Sequence, residues 1–134
     1  MSGSRRLLRW GGVIIAMALI MSACGGTDEA IDVPPQDPDL VDLGESLYQS
    51  NCAACHGADL RGSDQGPSHL SRVYEPGHHG DAAFLLAVRN GSQQHHWNFG
   101  PMPPIDGLSD EDVAAIVAYV RGAQREQGFE PYPP

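Results

Sequence analysis

Lysine is absent from this chain, and its eight basic residues are all arginine. Seventeen acids outweigh them and leave a formal charge of −9. That balance excludes nucleic acid and anionic headgroups as charge-driven partners and points to a partner with a basic docking face. Cysteine is scarce: Cys24, Cys52 and Cys55 are too few for a disulfide framework. Methionine is scarcer still beyond the N-terminus, where Met1, Met17 and Met21 are followed only by Met102. Long apolar runs are missing too. Residues 10–23 form the one candidate, 14 residues where a bilayer crossing takes about 20. No alternating strand pattern and no internal repeat is visible, which leaves helices and loops to build the fold.

The short apolar run has its own meaning. Arg5, Arg6 and Arg9 precede it and small residues close it, the layout of an export signal over residues 1–23. The stretch Leu19-Ile20-Met21-Ser22-Ala23-Cys24 resembles the lipobox of bacterial lipoproteins, with Met21 where leucine is commoner. The resemblance implies that Cys24 becomes the lipidated first residue of the mature protein. A plain export signal with an incidental cysteine and a short uncleaved anchor are the alternatives. Cleavage removes three arginines and no acid, which takes the formal charge from −9 to −12. Residues 24–38 hold three prolines and four acids among few apolar groups, and read as a disordered acidic tether. Residues 39–128 are the globular part, and residues 129–134 a loose tail.

Three helices are predicted in the globular part. The first covers about residues 40–51, capped by Asp39 or Asp42, with Leu40, Leu43 and Leu47 as an apolar stripe. The second covers residues 81–90, with Phe84, Leu85 and Val88 inward and Gly91 as its stop. The third starts at Ser109, where Asp110, Glu111 and Asp112 make a capping-box start at the positive dipole end. Val113, Ile116, Val117 and Val120 share its apolar face, Arg121 and Arg125 lie near its negative end, and Gly122 weakens its last turn. Residues 57–79 and 92–108 are long loops rich in glycine and proline. So few helices make a thin core, and long loops in a small domain need something to wrap. A buried prosthetic group meets both needs.

Cys52-Ala53-Ala54-Cys55-His56 is the C-x-x-C-H signature of covalent haem c attachment. The spacing follows from the chemistry: two thiols add across the vinyl groups on one porphyrin edge, and the adjacent imidazole becomes an axial ligand of the iron. A thioredoxin-like pair would follow a strand, whereas here a helix precedes it. A structural zinc site would want four ligands, usually with a second paired motif.

Residues 44–57, with Gly44, Leu47, Tyr48 and the C-x-x-C-H run, resemble the N-terminal helix and haem site of class I cytochromes c. Met102-Pro103-Pro104, then Leu108 to Val113 and Ala118-Tyr119-Val120, resemble that family's methionine loop and closing helix. The resemblance spans about residues 39–127. It implies an all-α fold of three to five helices and long loops wrapped around one covalent haem c. It also implies that the first and last helices cross at Gly44, and that Tyr48 packs near Tyr119. Gly66-Pro67 resembles the point where a proline carbonyl accepts from the axial histidine's other ring nitrogen, a bond that fixes the ring and tunes the iron.

The sixth iron ligand is sought among Met102 and five histidines. Met102 lies in Gly100-Pro101-Met102-Pro103-Pro104, whose prolines present a thioether with little entropy loss. His69, His78, His79, His95 and His96 are the bis-histidine candidates. Trp97, Phe99, Leu70 and Leu85 are candidates to line the haem cavity, and Arg72 or Arg89 to meet a propionate. The resulting expectation is a non-enzymatic electron carrier, lipid-anchored at the extracytoplasmic face of a bacterial membrane, with His56 and Met102 on the iron. Its partners are redox proteins, with no nucleic acid and no small-molecule substrate. A fixed haem subunit of a larger oxidase or dehydrogenase, and an open-site sensor or enzyme, are the alternatives.

Overall fold

The computed structural model describes residues 36–128. The export signal, Cys24, most of the tether and the tail at 129–134 lie outside the described residues. Among the described residues four α-helices form: α1 Pro38–Asn51, α2 Ala53–His56, α3 Asp81–Asn90 and α4 Asp110–Glu126. A 3-10 turn at Arg72–Tyr74 interrupts the loop before α3. Among the described residues no strand forms, and one isolated bridge joins Ser92 to Met102. The architecture is the all-α one expected. None of the described helices is long and apolar enough to cross a membrane.

The start of α1 differs from the expectation. Its cap is Asp37, whose carboxylate accepts from Asp39 N at 3.0 Å. Pro38, assigned above to the tether, is the first helical residue, where its missing N–H costs nothing and its φ is already helical. The core face also differs. Leu40 and Leu43 are 39% and 48% exposed, while Gly44 and Tyr48 are buried. The leucines share a stripe, but the close helix crossing turns that stripe partly outward.

The crossing itself is set by Gly44. A Cβ built there would lie 2.0 Å from Ala115 O of α4, so only glycine lets the two backbones approach so far. Just beyond the crossing, Tyr48 meets Tyr119 with ring centroids 5.5 Å apart. Tyr48, Leu60, Ile116 and Val120 form one buried cluster, and Val88, Val113 and Val117 a second between α3 and α4. The predicted face of α4 is thus the core face.

The ends of α4 follow local chemistry. Ser109 Oγ accepts from Asp112 N at 3.1 Å, and Asp112 accepts from Ser109 N at 2.9 Å, a complete capping box. Gly122 does not end the helix, which runs on to Glu126. Arg121 is no surface partner of the helix dipole: it is 2% exposed. Its Nε donates to Asp81 at 2.9 Å, Nη1 to Tyr74 O at 2.5 Å, and Nη2 to His79 O at 2.6 Å. Its guanidinium also lies over the Phe84 ring, 5.1 Å from the centroid. One buried cation therefore ties the loop before α3 to α4, and a buried charge with this many partners is satisfied rather than stranded.

Candidate functional site

The C-x-x-C-H run folds as one turn of helix. Cys55 N and His56 N donate to Cys52 O at 3.1 and 2.9 Å, and Gly57 N donates to Ala53 O at 2.9 Å. Positions i, i+3 and i+4 of a helix share a face, so Cys52, Cys55 and His56 lie side by side. Neither cysteine is in a disulfide. Cys52 is half-buried, and burial first, then the nearby Cys55, pushes its thiol up to about 11.

His56 is buried at the motif's end. Its Nδ1 lies 2.9 Å from Pro67 O. A carbonyl only accepts, so Nδ1 carries the proton and donates, and Nε2 keeps its lone pair. Burial lowers the imidazole's pKa from its ordinary value, and the bond to Pro67 opposes that shift. The neutral ring that a metal requires is therefore the form the fold favours.

The loop that delivers Pro67 is folded tightly onto the motif. Gly62 N donates to His56 O at 2.8 Å, Ser63 Oγ to Cys55 O at 2.6 Å, and Ser68 Oγ to Leu60 O at 2.9 Å. A Cβ at Gly66 would meet Cys55 O at 2.8 Å and His56 Nδ1 at 3.3 Å. Leu60 adopts a left-handed φ of 66° while buried in the core, a cost that the packing around it sustains. Tyr48 closes the arrangement from α1, donating to Gly57 O at 3.1 Å.

Met102 arrives from the other side of the chain. Ser92 N donates to Met102 O at 3.0 Å and Met102 N to Ser92 O at 2.8 Å, so the loop between them is pinned at its neck. Ile105 N donates to Val88 O at 2.8 Å and ties the following prolines to α3. Gly91, at φ 72°, makes room: a Cβ there would lie 2.6 Å from Met102 O.

These pieces meet on one cavity of about 510 Å³, lined by Cys52, Cys55, His56, Pro67 and Met102 and walled mostly by apolar groups. Trp97 and Phe99 line it as expected. Leu70 and Leu85 do not; they pack against the two core clusters instead. Arg72 pairs with Glu75, and Arg89 with Asp110.

The histidines divide into two groups. His69 is buried, and its ring stacks on His56 with centroids 4.2 Å apart and planes 19° apart. It therefore offers His56 a ring face, and Gln124 Nε2 donates to its carbonyl at 2.7 Å. Burial holds its pKa well below the ordinary value. His78, His79, His95 and His96 cluster with one another, and His79, His95 and His96 line the cavity. Sequence reasoning missed the buried role of Arg121 and Gln124. The signal was present: both continue the apolar stripe of α4 at i+4 and i+7 from Val117, core positions that a charged residue occupies only with partners.

The geometry fits a haem c: two thiols on one edge of an apolar cavity, and an imidazole whose outer nitrogen is fixed by a carbonyl. Comparison with known proteins agrees. Residues 41–124 match the family Cytochrome c. Cytochrome c-551 of Bacillus subtilis is 33% identical over 106 residues, covering 77% of this chain and 83% of that protein. The cytochrome bc1 complex cytochrome c subunit of Mycobacterium tuberculosis is 32% identical over 128 residues, where this chain spans only 42% of the relative's length. Among solved structures, cytochrome cL of Methylophaga aminisulfidivorans shares the fold, with a TM-score of 0.51, 23% identity, and coverage of 74% of this chain and 71% of that one. On the family match and the identity to cytochrome c-551, this chain belongs to the cytochrome c family, proteins that carry a covalently bound haem c.

Proposed function

We propose that the protein is a one-electron carrier whose haem is joined to Cys52 and Cys55 and ligated by His56 and Met102. The observation that carries the reading is that His56 and Met102 line one apolar cavity while each is held by its own backbone bond. The haem supplies a single electron's storage by ferrous–ferric cycling. The chain's residues do the rest. Pro67 O accepts from His56 Nδ1, which orients the ring and keeps Nε2 free for the iron. Pro101, Pro103 and Pro104 stiffen the Met102 loop, so the ligand changes position little between oxidation states. The apolar walls keep water out, and thioether ligation raises the potential. With His56 and Met102 both on the iron, no coordination position would be left for a substrate, which suits a carrier rather than an enzyme.

Lipidation at Cys24, with the acidic stretch 25–36 as an arm, confines the domain to the extracytoplasmic face of the membrane and raises its effective concentration near membrane partners. Its acidic charge suits donors and acceptors with basic docking faces. The bc1-complex relative supports a respiratory setting. That relative, together with the exposed Leu40 and Leu43 of α1, also favours a second reading, a permanently docked haem subunit. Sedimentation of the detergent-solubilised native protein separates the two, a free monomer against a stable complex.

The axial assignment is tested by the visible spectrum of the oxidised holoprotein. Wild type is expected to show the weak red-edge charge-transfer band of sulfur on ferric iron, and Met102→Ala to lose it with a fall in reduction potential. A haem c spectrum without that band in wild type refutes methionine ligation and hands the sixth position to a histidine or an open site.

A further inference from the structure

Four histidines lie outside the haem attachment run and the core. His78 and His79 sit in Pro76-Gly77-His78-His79-Gly80 ahead of α3, and His95 and His96 in the loop that the Ser92–Met102 bridge closes. Their ring nitrogens converge: His78 Nε2 lies 3.2 Å from His96 Nε2, and His79 Nε2 lies 3.3 Å from His95 Nε2. The ligand atoms of His78, His79 and His96 all fall within 4.8 Å of one another.

The tautomers make this arrangement informative. His79 Nδ1 lies 2.7 Å from Val73 O, and His95 Nδ1 2.8 Å from Gln93 O. Carbonyls only accept, so both Nδ1 atoms hold the proton and donate. In the neutral rings the two Nε2 lone pairs then face each other across 3.3 Å with no hydrogen between them. That contact is repulsive unless a proton on one ring or a metal ion nearby relieves it. An Nδ1–H bonded to a backbone carbonyl is also the usual support of a metal-ligating histidine. The 3.2 Å between His78 Nε2 and His96 Nε2 also suits a shared ion, since tetrahedral bonds of about 2.0–2.1 Å place neighbouring nitrogens about 3.3 Å apart.

The loops are built to hold the rings there. His78 N and His79 N donate to Glu75 O at 2.8 and 2.9 Å, and the buried Arg121 grips His79 O at 2.6 Å. Trp97 stacks on Tyr74 with centroids 5.9 Å apart and planes 13° apart, which joins the second loop to the first. His78 and His96 are exposed, so an ion has a path in.

We propose that His78, His79 and His96 bind one zinc-class divalent transition-metal ion, with water in the fourth position, and that the ion cross-links the two loops. His79 and His96 line the same cavity as His56 and Met102, so the proposal rests on Met102, and not one of these histidines, being the sixth iron ligand.

The test titrates the untagged holoprotein with zinc by calorimetry, with the haem spectrum followed in the same samples. The expected result is one zinc per chain, an unchanged haem spectrum, and an all-nitrogen and water shell by zinc-edge X-ray absorption. The exposed-site variant His78→Gln/His96→Gln is expected to bind about a hundredfold more weakly or worse, since disturbing even a ligand's support costs 10–100-fold. Single His78→Gln keeps the test valid should the double variant misfold. Three results overturn the proposal: no stoichiometric zinc, zinc binding undiminished in both variants, or variants that alter the haem spectrum or potential while wild type binds no zinc. The last would mean that the cluster serves the haem and not a metal.

Discussion

Gly44→Ala is the sharpest probe of the scaffold that positions the haem site. On propensity alone it should stabilise α1 by about 0.8–1 kcal/mol, since glycine is poor inside a helix. The structure reverses the sign. The new Cβ would lie 2.0 Å from Ala115 O and 2.6 Å from Ala115 C, both backbone atoms of α4 that no rotamer change can move. Restoring ordinary contact means parting the helices by about 1.4 Å, and a shift of that size forfeits much of the contact energy across the seam. The atoms that would lose contact belong to Tyr48, Ile116 and Val120, the first buried cluster. Overpacking of this kind costs about 1–3 kcal/mol and sometimes more. Taking the upper end and subtracting the propensity gain leaves a net loss of about 2 kcal/mol. For a domain of this size that lowers Tm by about 8–16 °C. Thermal unfolding of the oxidised holoprotein, followed by far-UV circular dichroism, reads it directly. A variant as stable as wild type, or more so, would refute the close crossing of α1 and α4.

Ser109→Ala removes the oxygen that accepts from Asp112 N, and is expected to cost about 1 kcal/mol in the same assay. Asp112→Ala should cost less than a second full increment on top, because the two bonds form one box. Tyr74 supplies a pH prediction. Burial pushes its phenol up to about 12, so between pH 10 and 12 the unfolded chain has lost a proton that the native chain keeps. Stability therefore falls as pH rises through that window, by roughly 2–3 kcal/mol in all. Denaturant unfolding of wild type and Tyr74→Phe at pH 9 and pH 11.5 should show a smaller alkaline loss in the variant, and equal losses would sink the assignment.

What the sequence determined by itself was everything set by neighbours along the chain. The C-x-x-C-H run is five consecutive residues, and a single helical turn is enough to bring its thiols and imidazole to one side. The capping box at Ser109 and the apolar face of α4 are equally local, as is the stop of α3 at Gly91. The tertiary structure decided what depends on approach between distant segments. The resemblance pointed to Gly44 and Pro67, but only the crossing shows that a Cβ has no room at Gly44, and only the folded 57–68 loop brings Pro67 O to His56. Leu40 and Leu43 followed a helical stripe yet face outward in part, because periodicity names a stripe and not what covers it. Arg121 sat on a core stripe with its partners 40 or more residues away in the chain. The histidines of two separate loops became a cluster only when the Ser92–Met102 bridge and Arg121 drew those loops together. Local chemistry is written in short spacings, whereas a close approach is the sum of many packing choices that no single stretch of sequence contains.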